Sequence, residues 1–167
     1  MQVNRYHEQP GPRLLETRGE IRDAGIAIAK ATRRELLLFG PTLDLDLYNP
    51  QAFFEAVQRL ALARADLPVR ALLSSPDSSS QTGSLILRLA QRLTSRIAIR
   101  RLGDDLVDRP DAFLIGDERA YIRRPRAEGS QGIADMHGRR EARQLRADFE
   151  QMWERSDADV AFRHLHL

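Results

Sequence analysis

The sequence predicts an α/β domain in which a mixed β-sheet is flanked by helices. Three observations carry this reading. Helical and strand-like segments alternate along most of the chain, the order that builds layered α/β architectures. The first two strand-like runs, 35–39 and 68–74, are apolar nearly throughout, as strands buried on both faces must be. Two further short runs, 112–116 and 120–123, are joined by Gly116-Asp117-Glu118-Arg119, a connection that suits a tight hairpin and so adds antiparallel pairing.

Residues 1–15 read as a flexible arm, with a short extended piece at Arg13-Leu14-Leu15. Residues 16–167 read as one domain, since 167 residues suffice for a single sizeable core. Over 16–33, Ile21, Ala24, Gly25, Ile28 and Ala31 recur at three- and four-residue spacing, the pattern of an amphipathic helix with a small-residue face. The run at 35–39 closes on Gly40-Pro41. A helix over 50–64 is signposted by Asn49 as N-cap, Pro50 at its first position and Phe54, Val57, Leu60 and Ala61 facing inward. The strand at 68–74 leads into a serine-rich loop, and Leu85, Leu89 and Leu93 line up on a helix over 82–94. Residues 96–100 alternate polar with apolar, as a half-exposed strand does. An acidic loop at 103–109 precedes the hairpin, and a glycine-containing loop at 125–132 follows it. The last helix spans 138–155, with Ala142, Leu145, Phe149, Met152 and Trp153 on its core face and Arg146 placed to pair with Glu150. The tail, 160–167, alternates once more and predicts an edge strand.

Composition removes whole classes of chemistry. There are 25 arginines but a single lysine, Lys30, which sits in no phosphate-loop, Schiff-base or Ser/Lys pattern. With no cysteine, thiol catalysis, thiolate metal sites and disulfides are excluded. No apolar run approaches the ~20 residues that span a bilayer, so a soluble, cytoplasmic protein is expected. Arginine codons are GC-rich, which makes the arginine preference a coding effect first of all. It is nevertheless uneven along the chain. Residues 119–146 carry eight arginines against three acids, whereas 147–167 carry two against five.

The string from Ala112 through Ile122 resembles the motif strand and hairpin of the phospholipase D superfamily, where a His-x-Lys-x-x-x-x-Asp pattern runs along a strand into a turn. Asp117 falls at the aspartate, but Pro110 stands at the histidine and Ala112 at the lysine. The resemblance implies a histidine that forms a phosphoenzyme and a lysine that neutralises phosphate oxygens. Neither proline nor alanine does either, so a non-catalytic protein, a pseudoenzyme, is expected. The Gly-Ser and Asn of the superfamily's second strand are replaced around Arg123-Arg124-Pro125. Active members combine two such halves, and this chain has length for one half-domain. The chain also resembles a bacterial domain family with this half-fold, found alone or behind an acetyltransferase-type domain. Phe39-Gly40-Pro41, Asp44, Leu47-Tyr48, residues 89–93, Met136-His137, Ala142-Arg143, Phe149, residues 153–156 and the closing His166-Leu167 carry that likeness. No acetyl-CoA loop is found here, since Gln131-Gly132-Ile133-Ala134 is too short and lacks a preceding strand.

Candidate residues follow from charge and motif together. Arg123, Arg124, Arg139 and Arg143, with Asp117 and Tyr121 beside them, are the candidate phosphate-binding set, because arginine's planar fork suits phosphate oxygens. Asp117 also fits a plain turn role. His137 is placed to cap or pack at the start of the last helix. His164 and His166 share one side of the predicted tail strand but lack a third ligand, and His7 is remote, so no metal site is expected. Ser78-Ser79-Ser80 lacks a nucleophile elbow and reads as capping and linker sequence. Trp153 reads as a core anchor or part of a dimer interface. Neither a metal nor a cofactor is implied. Two functions follow: a non-catalytic domain that binds a phosphate-bearing ligand such as nucleic acid, or a homodimeric scaffolding module associated with an acetyltransferase-type partner. The first expects the four arginines to converge on one concave surface, and scattered arginines favour the second.

Overall fold

The computed structural model describes residues 11–75, 82–103 and 108–156. In chain order the elements are β1 (Arg13–Leu15), α1 (Arg18–Ala31), β2 (Leu36–Gly40), α2 (Leu45–Tyr48), α3 (Gln51–Ala63), β3 (Val69–Leu73), α4 (Leu85–Arg92), β4 (Ile97–Arg101), β5 (Ala112–Gly116), β6 (Ala120–Arg124), β7 (Gly132–Asp135) and α5 (Arg139–Glu154). One seven-stranded sheet runs in the order β1-β7-β6-β5-β2-β3-β4. β2, β3 and β4 are parallel, whereas β5, β6, β7 and β1 pair antiparallel from β2 outward.

β2 lies at the seam of the two halves, and its sequence shows why. Leu36 and Leu38 join the core under α1 and α3, while Leu37 and Phe39 join a second core under α5. A strand with both faces covered has no place for an alternating polar residue. α1 packs on β5 and β6, α3 on β3 and α4 on β4, whereas, among the described residues, α5 alone crosses the opposite face over β2, β5 and β6. The mixed sheet between helical layers is the predicted fold.

Several boundaries and elements differ from expectation. The extended piece at Arg13–Leu15 is a sheet strand, paired with β7, so the last three residues assigned to the arm belong to the sheet. α1 begins at Arg18 because Thr17 caps it: its hydroxyl accepts from Glu20 N at 3.0 Å. Asn49 is not the cap of α3, whose N-cap is Pro50. Its amide instead donates to Gly83 O and accepts from Leu85 N, tying down the entry to α4, which Ser84 caps. α4 is therefore shorter than the predicted 82–94. β7 lies where a loop was expected to lead into α5, with Gly132 as its first residue. The predicted tail strand, the triple serine and His7, His164 and His166 lie outside the described residues.

Candidate functional site

Pro110 precedes β5, and Ala112 opens it with its side chain wholly buried. A Cβ placed on Gly40, its neighbour across β2, would stand 3.3 Å from Ala112 Cβ. The position is closed by backbone packing. Just before it, Arg109 pairs with Asp111 at 2.8 Å and with Asp148 at 2.9 Å, and its guanidinium lies 4.9 Å from the centre of the Phe39 ring. The groups at this end of β5 are thus committed to one another.

Asp117 lies at the far end of β5, on the order of 16 Å away at the usual rise of a strand. Its φ is +55 and that of Glu118 is +52, the sign that a primed hairpin turn requires at both central residues. Its carboxylate accepts from Arg33 N at 2.8 Å, Arg34 N at 2.8 Å and Glu35 N at 2.9 Å. Asp117 therefore latches the hairpin to the turn between α1 and β2, and both oxygens are engaged. Gly116 is required beside it, since a Cβ there would meet Thr32 Oγ1 at 2.4 Å.

The four arginines do not converge. Arg123 and Arg124 are consecutive in β6, so they point to opposite faces of the sheet. Arg123 stands on the α5 side and pairs with Glu141 at 3.0 Å. Arg124 is buried, 3% exposed, and donates to Ala127 O at 2.5 Å. Arg18 reaches toward the same loop, with Gly129 O at 3.1 Å, and pairs with Asp44 and Asp46. Tyr48 closes this cluster, and burial pushes its hydroxyl up despite the neighbouring Arg124. Arg124 therefore ties the loop after β6 into the core and is unavailable to a ligand. Tyr121 is buried beneath the start of α5, where a Cβ on Gly138 would meet its ring at 2.5 Å. Tyr121 is thus part of the core, and the Asp117 carboxylate is engaged by backbone N–H groups.

Arg139, Arg140 and Arg143 are exposed on the first two turns of α5 and make no side-chain hydrogen bond or ion pair among the described residues. Arg140 was part of the charge excess but not of the candidate set; its spacing one turn before Arg143 was the available signal. Arg146 does not pair with Glu150 as predicted. It forms a fork on Glu35 at 2.7 and 3.0 Å, and Glu150 pairs with Arg70. Burial pushes Glu35 up, but the hydrogen bonds and charges of Arg146 and Arg70 outweigh it and hold the carboxyl below its ordinary value of 4.5. A depressed carboxylate stabilises the fold above its unfolded-state value and loses that stabilisation as pH falls through the folded value. Thermal melts of the wild type from about pH 6 down to about pH 3 are expected to fall more steeply below 4.5 than those of Glu35→Gln. Parallel curves would remove Glu35 from the acid limb.

Arg119 and His137 meet at the hairpin end. Arg119 Nε and Nη2 lie 3.1 and 2.7 Å from His137 Nδ1. His137 does not cap α5, whose N-cap is Gly138 with no side-chain hydrogen bond. Its own N–H donates to Asp135 Oδ1 at 2.9 Å. Trp153 is 8% exposed and stacks on Phe149 with ring centres 5.6 Å apart, so it is a core residue. Among the described residues no cluster of three or more His, Cys, Asp or Glu could hold a metal ion, and no helix is long and apolar enough to cross a membrane.

Comparison with known proteins agrees with the architecture. An archaeal chromatin protein, TrmBL2, described as showing a novel mode of DNA binding, is similar at a TM-score of 0.64 and 12% identity. The match covers 92% of this chain and 56% of that one, so the present chain spans little more than half of that protein's length. Nuc from Salmonella typhimurium, a phospholipase D family member, is similar at a TM-score of 0.58 and 13% identity, covering 90% of this chain and 99% of that one. No curated protein matches in sequence. At these identities the likeness concerns the fold, which is phospholipase D-like. Residues 17–165 match the family described as Domain of unknown function (DUF7931), and since the match takes in every helix and every strand except the edge strand β1, the chain belongs to that family.

Proposed function

We propose that this domain is a non-catalytic member of the phospholipase D-like fold that binds a phosphate-bearing ligand, nucleic acid foremost, through the first two turns of α5. One observation carries the reading. Arg139, Arg140 and Arg143 stand exposed and unpaired among the described residues at a helix N-terminus, while the acidic Glu150 and Glu154 occupy its C-terminal end. Arg139 and Arg140 in the first turn and Glu154 in the last oppose the helix dipole, at a cost of about 0.3–1 kcal/mol each, while Glu141 in the first turn favours it. A local arrangement that stability does not favour is expected where a ligand is bound. Guanidinium forks suit phosphate oxygens, and a DNA-binding chromatin protein shares the fold. Arg123, beside Glu141, borders the same face.

The non-catalytic part rests on Pro110 and on the closed packing around Ala112. The expected test is fluorescence anisotropy with duplex DNA, single-stranded DNA and RNA oligonucleotides over a salt series. For duplex DNA each phosphate contact contributes about −0.9 to the log–log salt slope. Replacing Arg139, Arg140 and Arg143 by alanine is expected to make the slope shallower by about 2.7 and to leave the melting temperature unchanged or higher. Equal binding by the triple variant would overturn the assignment.

The scatter of Arg123, Arg124, Arg139 and Arg143 counts for the homodimeric scaffolding reading, which has lost Trp153 as an interface residue. Leu14, 72% exposed on β1 at the sheet edge, is the side chain that supports it. Light scattering of Leu14→Asp against the wild type tests it, with an unchanged mass counting against self-association there. Cytoplasmic placement accompanies the nucleic-acid reading and the absence of cysteine.

A further inference from the structure

The end of the sheet that carries the hairpin holds a cavity of about 160 Å³. It lies between the last turn of α1, the β5–β6 turn and the turn from β7 into α5. Ile28, Ala120 and Met136, all buried, supply its apolar lining, and Ala31 stands exposed beside it. Most polar groups at its wall are already satisfied. The Thr32 hydroxyl donates to Ile28 O at 2.7 Å, and both Asp117 oxygens accept backbone N–H groups.

Arg119 is the exception. Two of its N–H donors converge on the single nitrogen His137 Nδ1, and no carboxylate lies within ion-pair distance of it among the described residues. A guanidinium edge presents two parallel donors, a geometry that matches the two oxygens of a carboxylate. Here it rests on one ring nitrogen, carried by an exposed side chain. An apolar cavity rimmed by an uncompensated fork fits an amphiphilic anion.

Size and charge narrow the class. A cavity of about 150 Å³ accommodates a benzene-sized body, well below the roughly 300 Å³ at which ordinary ligand pockets begin. The cavity therefore suits about six heavy atoms and excludes a nucleotide. Asp117, the carboxylate on its wall, and Asp135, held on His137 N, disfavour a dianion.

We propose that this cavity binds a short-chain aliphatic carboxylate, its chain against Ile28, Ala120 and Met136 and its carboxylate on Arg119 in place of His137. The site is separate from the arginine face. Its lining residues belong to the core on the α1 side of the sheet, whereas Arg139, Arg140 and Arg143 project from α5. The inference therefore stands whether or not nucleic acid binds.

The test is a ¹H–¹⁵N chemical-shift titration with sodium butyrate and, separately, inorganic phosphate, at constant ionic strength. Butyrate is expected to shift the amides of Thr32, Gly116, Ala120 and His137 saturably. Arg119→Gln is expected to weaken this binding roughly tenfold, the factor a lost charge-assisted hydrogen-bond pair commonly carries. Ala31→Leu, at an exposed helix-end position, is expected to weaken it by filling the mouth. His137→Ala is expected to tighten it, because the competing acceptor is gone. A purely structural Arg119–His137 contact predicts no such gain. Absence of saturable shifts, equal affinity in Arg119→Gln, or phosphate binding as well as butyrate would overturn the proposal.

Discussion

Asp117→Ala is expected to destabilise the domain by about 3 kcal/mol in urea denaturation. Three backbone N–H groups lose a charged acceptor, and hydrogen bonds to charged groups contribute about 1.5–3 kcal/mol each before water replaces the exposed ones. Arg33 and Arg34 are exposed, so water recovers much of their share; Glu35 N is half-buried and recovers less. Alanine at a φ of +55 adds about 1–2 kcal/mol of steric cost. Asp117→Asn keeps one acceptor oxygen and tolerates the left-handed conformation, so it is expected to retain about half of the lost stability. Asp117→Gly isolates the steric part. A loss below about 1 kcal/mol for the alanine variant would show that the carboxylate is not the latch between hairpin and turn. A vestigial catalytic carboxylate, by contrast, would be lost without any change in stability.

Trp153→Ala is expected to cost about 3–5 kcal/mol, the range for truncating a large buried aromatic. In a domain of this size that lowers the melting temperature by about 10 °C. The ring fills the space between α5 and the β2–β3–β4 half of the sheet. Arg100 lies over it at 4.2 Å and Arg70 at 5.3 Å, with Phe149 stacked alongside. Removing the ring also removes these cation–π contacts, worth roughly 0.5–2 kcal/mol each by their degree of desolvation. Trp153→Phe is expected to restore more than half of the loss. Circular dichroism is the appropriate probe, because Trp153 is the chain's one tryptophan. An interface tryptophan would instead change the molecular mass and leave the monomer's stability nearly intact.

The elements that hydrophobic pattern identified are those whose burial is decided by their own side chains. β2 is apolar on both faces and β3 is so but for Arg70, so no register could expose them favourably, and α5 carries its core stripe in full. β7 escaped this reading for the opposite reason. Gly132-Ile133-Ala134-Asp135 is four residues long and offers little hydrophobic signal, and it is a strand because it pairs with the preceding strand β6 on one side and with β1, from the other end of the chain, on the other. α2 is equally short, and Asn49 was taken as a cap although its amide is used by α4.

The candidate site divides in the same way. That Arg123 and Arg124 could not share a surface was readable in advance, since neighbours in a strand face opposite ways. The unpaired state of Arg139, Arg140 and Arg143 was not readable. It depends on where the carboxylates are spent: Glu141 is held by Arg123, and Glu35 by Arg146 and Arg70. The Arg119–His137 contact joins residues 18 positions apart and exists only because β6 and β7 bring the two turns together.

The amino-acid sequence by itself determined the mixed sheet and its helical cover, because hydrophobic periodicity is a local property. Tertiary structure alone decided which arginines are spent on the fold and which stay unpaired among the described residues. A guanidinium is neutralised by groups within a few ångströms of it, and those neighbours come from elements far apart in the chain.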